Sequence, residues 1–179
     1  MPCRYEAMPN YDWDNNEFPL AYFITFRTHG TWLHGDERGS VDRHGRNQYG
    51  QSLISLDPVF SVKMDVNMKT APFILDGAQR RQVDLAIRNV CEARKYNLFA
   101  LNVRTNHAHV VAFAPQPPNL VMNAFKANAT RELREAGLVD TGVRIWARGG
   151  STRYLWKPRH LEAAIEYTVN GQGGPLPEF

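Results

Sequence analysis

The stretch NVRTNHAHVVAFAP, Asn102–Pro115, places two histidines one residue apart inside an apolar run. In a strand, alternate side chains point to the same face. His107 and His109 would therefore project side by side. A lone histidine on an apolar strand is usually a core residue with a partner. Two in register need two sets of partners if both are buried. Two neutral imidazoles also suit a divalent metal, which a third protein ligand would complete. Spacing alone leaves the metal site and the coincidence both open.

The flanking sequence gives the elements around this pair. LFALNVRTN and HAHVVAFAP read as two strands joined tightly near Thr105-Asn106. LAYFITFRTHG (Leu20–Gly30) is rich in β-branched and aromatic residues and reads as the first strand. Gly77–Asn97 carries Val83, Ala86, Ile87, Val90 and Cys91, the stripe of an amphipathic helix. Pro117–Leu138 reads as a second helix, with Pro and Asn at its start and Gly137 at its end. RIWARGGSTRYLW (Arg144–Trp156) looks like a hairpin around Gly149-Gly150. KPRHLEAAIEYTVNGQGG (Lys157–Gly174) reads as a third helix. Pro158 stands near its start, Leu161, Ala164, Ile165 and Val169 form its apolar side, and glycines end it.

Residues 1–18 read as an irregular lead-in and 172–179 as a tail. Residues 32–78 read as a long loop or insertion. Its first part, Trp32–Gln51, is charged and Gly-rich, and strand-like pieces follow before a turn at Asp76-Gly77. No repeat or linker divides the chain, so 1–179 is expected to be one domain. Helices alternate with strands that come as hairpins. The expected class is α+β: a ferredoxin-like antiparallel sheet with helices on one side, and His-x-His on a central strand.

A hydrophobic share of 43% is ordinary for a globular chain, and no apolar run is long enough to span a membrane. The first residues lack the basic-then-apolar order of a signal peptide, so a cytoplasmic location is expected. Cys3 and Cys91 show no CxxC pattern, and a free buried thiol is favoured over a disulfide or zinc site. The net charge of +3 is mildly basic and compatible with nucleic acid. The distribution of arginines says more. Arg27–Arg46 and Arg144–His160 interleave Arg or Lys with Trp, Tyr and His in Gly-rich sequence. Such segments suit phosphate contacts and base stacking, or are solvated loops. Candidate nucleic-acid contacts are Arg27, Trp32, Arg38, Arg43 and Arg46, which could grip a hairpin. Arg104 flanks the histidine strand, and Arg148 and Arg153 lie in the second basic segment. Lys126 could approach phosphate or be solvated, and Asn106 suits a turn. His29, His34 and His44 match no zinc spacing and read as surface loop histidines.

The third helix adds chemistry. Tyr167 could be a nucleophile or a packing residue. Asn170 and Gln172 offer amide oxygens, hard ligands that suit Mg2+ or Mn2+.

TNHAHVV resembles the histidine strand of the HUH single-strand transposases with one catalytic tyrosine, particularly the REP-associated tyrosine transposases. Tyr22–Arg43 is similar to the first strand and loop of one branch of that family. Met122–Glu135 is similar to its next helix, and Leu161–Gly174 to its tyrosine helix. The resemblance implies a catalytic Tyr on the C-terminal helix. It implies that the histidine pair and an amide or similar group hold a divalent cation, Mg2+ or Mn2+. The tyrosine would attack a phosphodiester of single-stranded DNA, often beside a hairpin. That leaves a 5′-phosphotyrosine and a 3′-hydroxyl, and joining reverses the step. Carried over, His107 and His109 are ligands and Tyr167 the nucleophile. The family places its third ligand four residues after the tyrosine, where this chain has Gly171. Gln172 is favoured as the substitute, with Asn170 or water as alternatives.

A phenol, with a pKa near ~10, is a poor nucleophile at neutral pH. A metal would polarise the phosphate and neutralise charge on the leaving oxygen. Single-stranded or hairpin DNA is the expected partner, no membrane is expected, and a homodimer is open. Two other readings stand beside this one: a domesticated, non-cleaving DNA or RNA hairpin-binding module, and a metal-dependent phosphoesterase that uses water.

Overall fold

The computed structural model describes residues 19–31, 71–174 and 176. The expected lead-in, the tail beyond 176 and residues 32–70 lie outside them, and with them Cys3, Trp32, His34, Arg38, Arg43, His44 and Arg46. The described elements run β1 (Ala21–Arg27), α1 (Gly77–Arg94), β2 (Asn97–Val103), β3 (His107–Phe113), α2 (Pro118–Glu135), β4 (Ser151–Leu155) and α3 (Pro158–Asn170). The four strands form one antiparallel sheet in the order β2-β3-β1-β4. This is the α+β arrangement expected of a ferredoxin-like sheet, and β3 is an interior strand.

Strand alternation divides the sheet into two faces. Tyr22, Ile24 and Phe26 of β1 and Ala108, Val110 and Ala112 of β3 join the larger core with α1 and α2. The opposite face presents Ala21, Ala100, Val111 and Leu155 to Leu161 and Ala164 of α3. Helices therefore cover both faces, not one as the strand order suggested. An unpaired sheet face lined with Val111 and Leu155 would leave apolar area in water, and α3 removes it.

Local chemistry sets the helix ends. Asp76 caps α1: its carboxylate accepts from the Gln79 N–H at 2.8 Å, and the Gln79 side chain accepts from the Asp76 N–H at 3.0 Å. Val83, Ala86, Ile87, Val90 and Cys91 are all buried, as their spacing predicts. Each large apolar side chain of this stripe contributes roughly 1.5–3 kcal/mol by leaving water. The helix starts at Gly77. Leu75 in that approach is 1% exposed, and its N–H donates to the Thr105 carbonyl at 2.7 Å. Gly137 takes φ +67 just past α2, a left-handed stop that glycine adopts without strain.

Two readings need correction. Arg144–Trp156 is not a hairpin. Trp146 bridges to Thr28, and β4 pairs with β1 from Ser151 onward, so both arms lie along the same edge of β1. The Gly149-Gly150 segment interrupts one edge strand instead of reversing it. A Cβ at Gly150 would stand 2.5 Å from the Met122 sulfur and 2.5 Å from the Thr25 carbonyl oxygen, so the close approach requires glycine. Val169 is the second correction. It is 58% exposed, and Thr168 takes the buried position in its place. Cys91 is a free buried thiol whose pKa burial pushes up to about 11. No helix among the described residues is long and apolar enough to cross a membrane.

Candidate active site

β3 lies between β1 and β2, so its histidines have neighbours on both sides. Thr25 of β1 and Asn102 of β2 are the cross-strand partners of His109, and Arg27 is that of His107. The two rings project together, with centroids 4.7 Å apart. His109 is buried and stacks on Phe23 at 5.4 Å. Its Nδ1 lies 2.8 Å from the Thr25 hydroxyl oxygen. Burial first, then the neighbouring His107 and Arg27, push its pKa down to about 4, against a hydrogen bond with Gln172 that acts the other way. At neutral pH it is a neutral ring with a lone pair to give.

His107 is oriented in the same manner. Its Nδ1 lies 2.7 Å from the Asn106 side-chain oxygen. With that oxygen as acceptor the ring proton sits on Nδ1 and the lone pair on Nε2. Nε2 faces the Gln172 side-chain oxygen at 3.2 Å. The Gln172 amide nitrogen donates to the Tyr167 carbonyl at 2.9 Å, which turns its oxygen toward the histidines. Two acceptors facing one another repel unless a proton or a metal cation lies between them. Both Nδ1 atoms are engaged, and an amide oxygen converges on the rings. Among the described residues no group of three or more His, Cys, Asp and Glu could hold a metal. The side chains that converge here are His107, His109 and Gln172, none of them a carboxylate.

Tyr167 lies on the last turn of α3. Its ring meets His109 edge-on at 5.5 Å and Phe23 edge-on at 6.0 Å, while 49% of the residue stays exposed. The helix end is clamped from below. Thr168 is fully buried, its hydroxyl donates to the Ala164 carbonyl at 2.7 Å, and its carbonyl accepts from the Asn102 amide at 2.8 Å. Gly171 follows as the C-cap, and a Cβ there would stand 2.8 Å from both the Tyr167 ring and the Tyr167 carbonyl oxygen. No side chain fits at the position where the resemblance expects a ligand. The chain turns one residue later and brings Gln172 back over His107.

Asn170 is not brought to the histidines. It is exposed, and its amide donates to Glu166 at 2.8 Å on the outer side of the helix. Arg104 donates to the Gly174 carbonyl at 3.2 Å and holds the segment after α3. Arg153, the cross-strand partner of Phe23, is exposed on β4, and Arg148 is exposed in the loop before it. Lys126 is neither solvated nor near the histidines. It is buried on the opposite face of the sheet, above the Phe26 ring. It donates to the Ala147 carbonyl at 3.0 Å and to the Gly149 carbonyl, which fixes the loop before β4. Desolvation pushes its pKa down to about 8.

Phe23, Thr25 and Asn102 are site residues that sequence reasoning missed, and Asn106 does more than turn the chain. The faint signal was a polar residue at an alternate position of an apolar strand. Pairing register, which joins Thr25 and Asn102 to His109, is not written in either strand alone.

No family model matches the chain, and no curated protein does. Among solved structures, the chain is similar to a REP-associated tyrosine transposase bound to a REP hairpin. The identity is 11% and the TM-score 0.45, over 86% of this chain and 68% of that one.

Proposed function

We propose that the chain is a metal-dependent single-stranded DNA nicking and strand-transfer enzyme of the single-tyrosine kind. One observation carries this reading: the Tyr167 ring, the His107–His109 pair and the Gln172 amide oxygen gather at one end of the sheet, half open to solvent. In the proposed reaction the Tyr167 phenolic oxygen bonds to phosphorus, and the bond from phosphorus to the 3′-oxygen breaks. The phenolic proton passes to water, and the leaving oxygen takes one up to become a 3′-hydroxyl. The product is a 5′-phosphotyrosine. Its ester conserves the bond, so the reverse attack rejoins strands without a nucleotide cofactor.

His107, His109 and Gln172 would hold Mg2+ or Mn2+, which when bound would polarise the scissile phosphate and offset charge on the leaving oxygen. The set contains no carboxylate, so phosphate oxygens of the DNA would complete the coordination. Asn106 keeps His107 in the tautomer that presents Nε2, and Thr25 holds the His109 ring through Nδ1. The exposed half of Tyr167 leaves the phenol accessible to a strand lying over the sheet. Because Tyr167 packs on its own chain's His109, the site is proposed to work within one subunit.

The test is covalent capture. Labelled single-stranded hairpin DNA with Mn2+ or Mg2+ should give a band retarded on a denaturing gel, absent without metal and absent in Tyr167→Phe. Tight binding with no band across many DNAs would replace the proposal with a non-cleaving hairpin-binding module. Metal-dependent turnover with no adduct would replace it with a phosphoesterase.

A further inference from the structure

The basic and aromatic segment after α2 is not used by the site above, yet it is arranged. Between Asp140 and Glu162 the chain carries Arg144, Arg148, Arg153, Lys157 and Arg159 and no carboxylate side chain. Within it, Tyr154 and Trp156 lie on the edge strand β4 and just beyond it. Their rings are parallel, 10° apart in plane, with centroids at 6.1 Å. Both are open to solvent, Tyr154 at 49% and Trp156 at 40%, while Leu155 between them is buried. Leu155 therefore does the packing, and the aromatic pair contributes little to the core. Tyr154 does not swing freely. It meets the buried Tyr22 ring edge-on at 5.3 Å, which braces it against the sheet.

Arg153 connects this edge to the site. It is the cross-strand partner of Phe23, and Phe23 touches the Tyr167 ring. A strand bound at Tyr167 that crosses Phe23 meets the Arg153 guanidinium next and then the edge of β4. Tyr154 is the cross-strand partner of Tyr22, so its ring stands on the α1–α2 side of that edge, and the strand turns round β4 to reach it.

We infer that Tyr154 and Trp156 form a stacking site for an unpaired base of single-stranded DNA, with Arg153 taking the adjoining phosphate. The inference rests on the proposed strand-transfer reading for the direction from which the strand arrives. Every base has a π-face, so the site accepts any sequence. A duplex gains nothing there, because its bases are already stacked on one another. Lys157 and Arg159, both exposed, add positive charge beside the rings and match a phosphate backbone.

The experiment uses the full chain carrying Tyr167→Phe, so that binding is read without an adduct. A hairpin with a single-stranded thymidine tail is titrated while tryptophan fluorescence is followed. Quenching is expected, and Trp156→Phe should reduce it while keeping the affinity near that of the parent. Trp156→Ala should weaken tail binding about tenfold, and an abasic tail should weaken the parent by a similar factor. Arg153→Ala should reduce the slope of log affinity against log salt by about one. Circular dichroism confirms that each variant is folded. Unchanged affinity for Trp156→Ala, or an abasic tail that binds as well as the normal one, overturns the inference. The two proposals fail separately. Stacking without an adduct in the Tyr167 parent leaves this site standing and removes strand transfer. An adduct with a silent Trp156→Ala does the reverse.

Discussion

Gly171→Ala is the substitution whose effect follows most directly from the geometry. The added methyl would stand 2.8 Å from the Tyr167 Cδ2 atom and 2.8 Å from the Tyr167 carbonyl oxygen, where ordinary contact begins at 3.4 Å. Something must retreat by about 0.6 Å at each contact. The ring can rotate away, but only by leaving its edge-on contacts with Phe23 and His109. The carbonyl has less freedom, because it accepts from the Gly171 N–H at 3.0 Å and from the Gln172 amide at 2.9 Å. Opening the second bond releases the Gln172 oxygen from His107. Losing one such bond costs ~1 kcal/mol of stability, which lowers the melting temperature by about 2–4 °C in a chain of this size. In the proposed reaction the chemical cost is larger, since displacing a reacting group by ~1 Å slows a reaction about 100-fold. Single-turnover adduct formation, read on a denaturing gel, should fall by roughly 10–100-fold, with calorimetry showing the small loss of stability. An adduct rate within about twofold of the parent would refute the reasoning.

Three further outcomes follow from separate parts of the molecule. Thr25→Val removes the partner that orients His109 and should weaken Mn2+ binding by roughly 10–100-fold in a calorimetric titration; unchanged affinity would mean the ring needs no orienting. Asn102→Ala unclamps the end of α3 from β2 and should cost ~1 kcal/mol in a urea melt. It should slow adduct formation while leaving Mn2+ affinity near the parent value, and equal loss of both would point to a general collapse of the site. Desolvation pushes the Lys126 pKa down to about 8 in the fold, below the 10.5 of a free lysine. Between those values the unfolded chain binds more protons, so stability should rise with pH through that window. The rise should be smaller in Lys126→Met when denaturation midpoints are compared at both ends of the window, and parallel pH profiles would sink the assignment.

How much of this was legible beforehand differs from element to element. The stripe of α1 is spelled out by spacing, because burying Val83, Ala86, Ile87, Val90 and Cys91 is a property of one helix and needs no knowledge of its neighbours. The two strands joined at Thr105-Asn106 are equally local. The segment around Gly149-Gly150 misled because paired glycines between aromatic arms are the usual sign of a hairpin. Here Lys126, far along the chain on α2, binds the carbonyls of Ala147 and Gly149 and holds the loop flat along β1. A lysine that reads as solvated gives no hint of such a task. The site divides in the same way. His107, His109, Tyr167 and Gln172 carry their chemistry in their residue types. Thr25 and Asn102 matter only through register and the docking of α3.

The position of α3 also bears on what Tyr167 is for. On the α3 face of the sheet, β3 presents His107, His109 and Val111 in succession, polar at one end and apolar at the other. Leu161 and Ala164 seat the first half of α3 on the apolar end, against Val111, Ala100 and Leu155. A rigid helix anchored there carries its last turn to the histidine end. Burial along it falls on Leu161, Ala164 and Thr168, while Tyr167 remains 49% exposed. Had the ring been placed for packing, the helix had a buried position to give it one residue later, and Thr168 fills that position instead. The same last turn gives up a side chain at Gly171, which lets the chain close against Tyr167 and return Gln172 to the histidines. Anchor, clamp and glycine stop together place one half-exposed phenol beside two oriented imidazoles.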